Sequence, residues 1–102
     1  MAVGVQMDFR NATIDQYDEV TERLGYLPGG PGPPGVLFHW VTKTDDGFRI
    51  IDVCDSRAEF EKLLTEKIIP TFREAGVLDP RETEFFEVHS YCLLYTSDAA
   101  DE

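Results

Sequence analysis

A chain of 102 residues holds one domain with a single modest core. Its formal charge of −11, with 20 acidic residues against 9 scattered basic ones, argues against nucleic acid, which is held by clustered Lys and Arg. No apolar run approaches the roughly 18 residues of a membrane span, and the opening MAVGVQMDF lacks the basic-then-apolar pattern of a secretion signal, so the expectation is a soluble cytoplasmic protein.

Residues 2 to 9, AVGVQMDF, alternate, with Val3, Val5, Met7 and Phe9 on one side and Gly4, Gln6 and Asp8 on the other, as in a half-buried strand. Thr13 stands three before Gln16, the spacing of a capping box, and Ile14, Tyr17, Val20 and Leu24 follow at helical intervals. A first helix is expected from Thr13 to about Leu24. Pro28 to Gly35, PGGPGPPG, is no phosphate loop, because its prolines lack the N–H donors a phosphate cradle needs and a strand follows. It reads as a stiff turn feeding that strand, or as a cap over a pocket mouth.

Val36 to Cys54 holds two apolar-rich runs joined near Asp46-Gly47, which predicts a β-hairpin with a type I′ turn. With Asp46 and Gly47 as the loop residues, His39 faces Cys54, Trp40 faces Val53 and Val41 faces Asp52. Phe38, Trp40, Thr42, Ile51 and Val53 then share one face, expected as core. Leu37, His39, Val41, Asp52 and Cys54 share the other, a mixed face.

Ser56 and Glu59 repeat the capping-box spacing, and Phe60, Leu63, Leu64, Ile68 and Phe72 continue an apolar stripe. The second helix starts near Ser56, with a break or kink expected at Pro70 and a stop at Gly76. Thr83 to Tyr91 is the last predicted strand, with Phe86 and Val88 on one side and Phe85, Glu87, His89 and Tyr91 on the other. Residues 92 to 102, CLLYTSDAADE, resemble the translation of a transposon-type sequencing adapter, so they are set apart as a non-native tail and 1 to 91 is taken as the domain.

The order strand, helix, strand, strand, helix, strand is that of an α+β ferredoxin-like βαββαβ sandwich, a four-stranded antiparallel sheet with two helices on one face. The other face is expected to carry Leu37, Val41, Ile50 and Phe85, too apolar for water. With MAVGVQMDF at the start, PGGPGPPG before LFHW, and FFEVHSY at the end, the chain resembles the dimeric α/β-barrel superfamily over residues 1 to 91. That superfamily includes the antibiotic-biosynthesis-monooxygenase-like and EthD-like proteins, and the three motifs resemble those of a short subgroup within it. The resemblance implies a homodimer with two sheets paired into a barrel, a small apolar or aromatic ligand, and no cofactor. A cofactor-independent monooxygenase or isomerase is one implied activity; a non-catalytic ligand-binding or accessory dimer is the other.

Among residues that carry chemistry, His39 is the proton-transfer candidate and Asp52 its partner, since imidazole titrates near working pH. A plain structural role, with the ring hydrogen-bonded to Asp52, explains the same pair. Trp40, Cys54, Glu87, His89 and Tyr91 are candidate ligand contacts. Trp40 and Cys54 also fit as core residues, and Glu87 and Tyr91 as dimer contacts. Cys54 and Cys92 have no metal-site spacing and form no disulfide framework, and no metal site is expected of His39 and His89, which lie on opposite sheet edges and converge only across a dimer or not at all.

Overall fold

The structure is a computed structural model that describes residues 2–26, 29–30 and 32–92. The tail beyond Cys92 lies outside the described residues. Strand β1 (Val3–Arg10) leads into helix α1 (Ile14–Leu24), then β2 (Val36–Lys43) and β3 (Gly47–Cys54). A second helical arm follows, made of α2 (Arg57–Leu63), a π turn (Leu64–Ile68) and α3 (Ile69–Glu74), before β4 (Glu82–Glu87). All pairings are antiparallel and the strand order is β2-β3-β1-β4, the ferredoxin-like sandwich.

The helix ends obey the local chemistry of the sequence. Thr13 accepts from the Gln16 amide while the Gln16 side chain accepts from the Thr13 amide, closing the capping box, and Gly25 ends α1 at φ 81°. Ser56 caps α2 through the Glu59 amide. Pro70 does not break the arm. The turn before it widens to π geometry, with the Ile69 amide reaching back to the Leu64 carbonyl, so the ladder adjusts one residue ahead of the proline that has no amide hydrogen to give. Gly76, at φ 85°, is the stop.

Two sequence expectations about the hairpin are corrected. The turn is centred on Asp45 and Asp46, with Thr44 donating to the Gly47 carbonyl, and neither aspartate has positive φ, so it is not a type I′ turn at Asp46-Gly47. Gly47 is instead a strand residue: a Cβ there would lie 1.9 Å from the Phe9 carbonyl oxygen. Glycine serves close backbone approach here, not turn geometry. The register moves by two, pairing His39 with Asp52, Trp40 with Ile51 and Val41 with Ile50.

From Phe38 to Lys43 a shift of two keeps each side chain on its face, while a bulge at Leu37 sets Val36 opposite Cys54 on the covered side; the face expected as core is nevertheless the open one. The helices cover the side bearing Val5, Met7, Phe9, Phe48, Ile50, Asp52 and Cys54, all buried. Phe9 packs against Phe48 (ring centroids 4.9 Å) and Phe72 (4.7 Å), and each such ring taken from water contributes about 1.5–3 kcal/mol. Val41, Ile50 and Phe85, expected outside, belong to this covered layer. The open face runs in rows across the sheet: Phe38, Val53, Gly4 and Phe86; then Trp40, Ile51, Gln6 and Glu84; then Thr42, Arg49, Asp8 and Glu82. Strand β4 is also shorter than expected, and His89 and Tyr91 lie beyond its end.

Gly47→Ala is expected to lower stability by about 1–3 kcal/mol, since β1 and β3 must part to admit the methyl group. Gly4→Ala, whose methyl would meet only the Val88 and Phe86 side chains at 3.4 and 3.7 Å, should change it by less than about 0.5 kcal/mol. Denaturant midpoints of the two variants check this, and equal losses would contradict the close-approach role.

Candidate functional site

Beneath α1, on the covered face, two strand positions of an apolar layer are polar. Asp52 lies on central β3 and His39 directly opposite it on edge strand β2. Asp52 is 4 % exposed, the one buried charged side chain among the described residues, while His39 is about two-fifths exposed at the edge. Their Oδ1 and Nδ1 atoms are 2.5 Å apart. A carboxylate only accepts, so Nδ1 carries the hydrogen, and in the neutral ring Nε2 offers a lone pair.

That lone pair is met from α1. The hydroxyl of Tyr17 sits 2.5 Å from Nε2, with the two rings nearly parallel at 10°. Tyr17 is held by the helix's apolar stripe, its ring set edge-on to Phe48 at 5.6 Å. Three groups from three elements thus form one chain, Tyr17 to His39 to Asp52. Burial, and then the nearby charges of Asp52 and Asp18, push the Tyr17 phenol up to about 12 from an ordinary value of about 10.

The chain borders a cavity of about 590 Å³ between sheet and helices. Its walls are mostly apolar, among them Met7, Val20, Leu24, Val41, Ile50 and Phe60, and no Lys or Arg lines it among the described residues. Of the Pro-Gly stretch, the described Gly29, Gly30, Gly32 and Pro33 border it too. This volume suits a small molecule.

Of the sequence candidates, His39 and Asp52 come together and Trp40 also borders the cavity, at the β2 edge, although its side chain belongs to the open face. Cys54, Glu87, His89 and Tyr91 are not brought to it. Cys54 is buried with Sγ 3.5 Å from the Val3 carbonyl oxygen, and burial pushes its thiol up, which leaves a packing residue and no nucleophile. Glu87 is exposed on the far edge strand, with His89 and Tyr91 exposed after it. Tyr17 was not among the candidates, because in the sequence it is one more apolar position of α1. No group of three or more His, Cys, Asp or Glu side chains is placed to hold a metal among the described residues, and no described helix is long and apolar enough to cross a membrane.

No family model matches the sequence, and no curated protein matches it significantly. Among solved structures, the chain is similar to a protein of Chloroflexus aurantiacus J-10-fl provisionally described as an antibiotic biosynthesis monooxygenase, with TM-score 0.59 and 20% identity. The match covers 90% of this chain and 98% of that one. At that identity the likeness is one of fold, and it agrees with the four-stranded antiparallel sheet and its helices.

Because the Tyr17 phenol is raised in the fold, the unfolded chain releases that proton first. Its contribution to stability is present below about pH 10 and is lost as the pH rises towards about 12. A spectrophotometric titration should show one phenolate component near 12 that Tyr17→Phe removes. A Tyr17→Phe profile identical to wild type would contradict the buried hydroxyl.

Proposed function

We propose that this chain works as a homodimer that takes a small apolar or aromatic compound into the cavity and acts on it without a cofactor, as a monooxygenase or isomerase, with His39 moving a proton. The observation that carries the reading is the Tyr17–His39–Asp52 chain on the wall of an otherwise apolar cavity. Cofactor-free oxygenation and isomerisation both begin by removing a proton from the substrate, which calls for a positioned base. Asp52 orients the imidazole and balances the charge it gains. The fold likeness to a provisional monooxygenase supports the oxygenase class.

One observation favours a second reading, a non-catalytic ligand-binding or accessory dimer. Both His39 nitrogens already have protein partners, so satisfying the buried Asp52 is by itself a sufficient role for the ring. In either reading His39→Ala leaves that carboxylate without its partner and should cost about 1–3 kcal/mol. Stability therefore does not separate the two, and turnover does. Native mass spectrometry of protein isolated from its own host should show a retained small molecule. The enzyme reading expects wild type to convert it and His39→Ala to bind without converting it. A molecule retained unchanged by wild type in air would leave the binding reading.

The dimer is proposed through the open sheet face. Phe38, Trp40 and Phe86 are 42%, 46% and 50% exposed there, flanked by Ile51 and Val53, and apolar surface left in water costs about 25 cal/mol per Å². Light scattering should give about twice the 11.6 kDa chain mass, and Trp40→Glu should return the monomer. A wild-type monomer at tens of micromolar would exclude the dimer.

A further inference from the structure

We propose that Tyr17, rather than His39, is the group that meets the ligand, and that the site selects an uncharged molecule with a weakly acidic O–H over a permanent anion. The inference rests on the preceding reading that the cavity binds a small apolar or aromatic molecule. Its ground is the direction of the hydrogen bonds. Asp52 can only accept, so Nδ1 donates to it, and in the neutral ring Nε2 accepts the hydrogen of the Tyr17 hydroxyl. Tyr17 has then spent its single donor inward. What its oxygen offers the cavity is lone pairs, which call for a donor on the ligand.

Charge sets the second half of the preference. Asp18 and Asp52 border the cavity, and no Lys or Arg does among the described residues. A carboxylate ligand would enter facing like charge with no cation to offset it. A neutral O–H donor enters without that cost, and the relay can take its proton. The ligand O–H bond breaks as its proton passes to the Tyr17 oxygen; the Tyr17 O–H bond breaks as its proton passes to His39 Nε2. A ligand oxyanion, a neutral Tyr17 and an imidazolium paired with Asp52 remain. The newly acquired Tyr17 hydrogen then points at the oxyanion and donates to it, so one hydroxyl first accepts from the neutral ligand and afterwards steadies its anion.

Three probes of similar shape test this on the full chain: 4-methylphenol, its methyl ether 4-methylanisole, and 4-methylbenzoate, each titrated by calorimetry at about pH 8, where a simple phenol keeps its proton and the benzoate is charged. Wild type should bind the phenol at least about tenfold more tightly than the ether, the factor expected of one matched buried hydrogen bond, and the benzoate more weakly than the ether. Tyr17→Phe should bring the phenol-to-ether ratio close to one while keeping the affinity for the ether, which also shows that the variant has folded. Equal binding of phenol and ether by wild type would overturn the Tyr17 role and leave the cavity reading standing. Tightest binding of the benzoate would overturn the charge preference. Failure of all three to bind would remove the cavity reading and this proposal with it.

Discussion

The buried carboxylate of Asp52 is the constraint on which the arrangement of this sheet depends. A charged oxygen removed from water on a central strand costs several kcal/mol unless it is matched, and here the match is the His39 ring directly across the β2/β3 ladder. That requirement specifies register. Sliding β2 by two residues would leave every face unchanged and every apolar contact similar in kind, yet it would set His39 opposite Cys54 and leave Asp52 facing Val41. The polar pair discriminates between pairings that hydrophobic burial alone scarcely separates.

The same pair explains which parts of the fold the sequence made legible. Element order, helix caps and strand alternation are local, and Thr13, Ser56, Gly25 and Gly76 act as their chemistry dictates. The hairpin turn was misread because Asp46-Gly47 carries two meanings. Glycine after aspartate suits a tight turn, but it also suits a strand whose backbone passes close to a neighbour, and the carbonyl of Phe9 decides the matter from 38 residues away. The core face was misassigned for a related reason. By composition Phe38, Trp40, Ile51 and Val53 outrank His39, Asp52 and Cys54, so counting apolar residues on the hairpin alone selects the wrong side. Strand β1 supplies the missing signal: its buried Val5, Met7 and Phe9 align with Asp52, Ile50 and Phe48, and its Asp8 aligns with Arg49 on the open side, where the two side chains pair at 2.6 Å. Burial is a property of the three-strand layer, and a two-strand reading cannot recover it.

An apolar open face beside a polar residue in the core is therefore one design seen from two sides. The first two rows of the open face, led by Phe38 and Trp40, carry most of its apolar surface, and the third is charged by Arg49, Asp8 and Glu82. The apolar surface thus gathers at one end of the open face and the charge at the other, with Gln6 and Glu84 in the row between. The helix-covered side gives up packing at two positions of one row, and a cavity lies beside them.

Tyr17 shows why the candidate site is only half legible in the sequence. His39 and Asp52 stand out in sequence as polar residues in apolar strands, whereas Tyr17 occupies a position of the helix stripe that any large apolar side chain could fill. Only the crossing of α1 over the β2/β3 ladder gives its hydroxyl a meaning. Burial and the charges of Asp52 and Asp18 hold that hydroxyl neutral across the ordinary pH range, which disqualifies it as a standing base or nucleophile. A group that resists ionisation but lies 2.5 Å from an imidazole lone pair is suited to pass a proton on while never holding a charge of its own. In the proposed relay the imidazole, fixed by Asp52 and exposed at the sheet edge, would be where that charge rests before it passes to water.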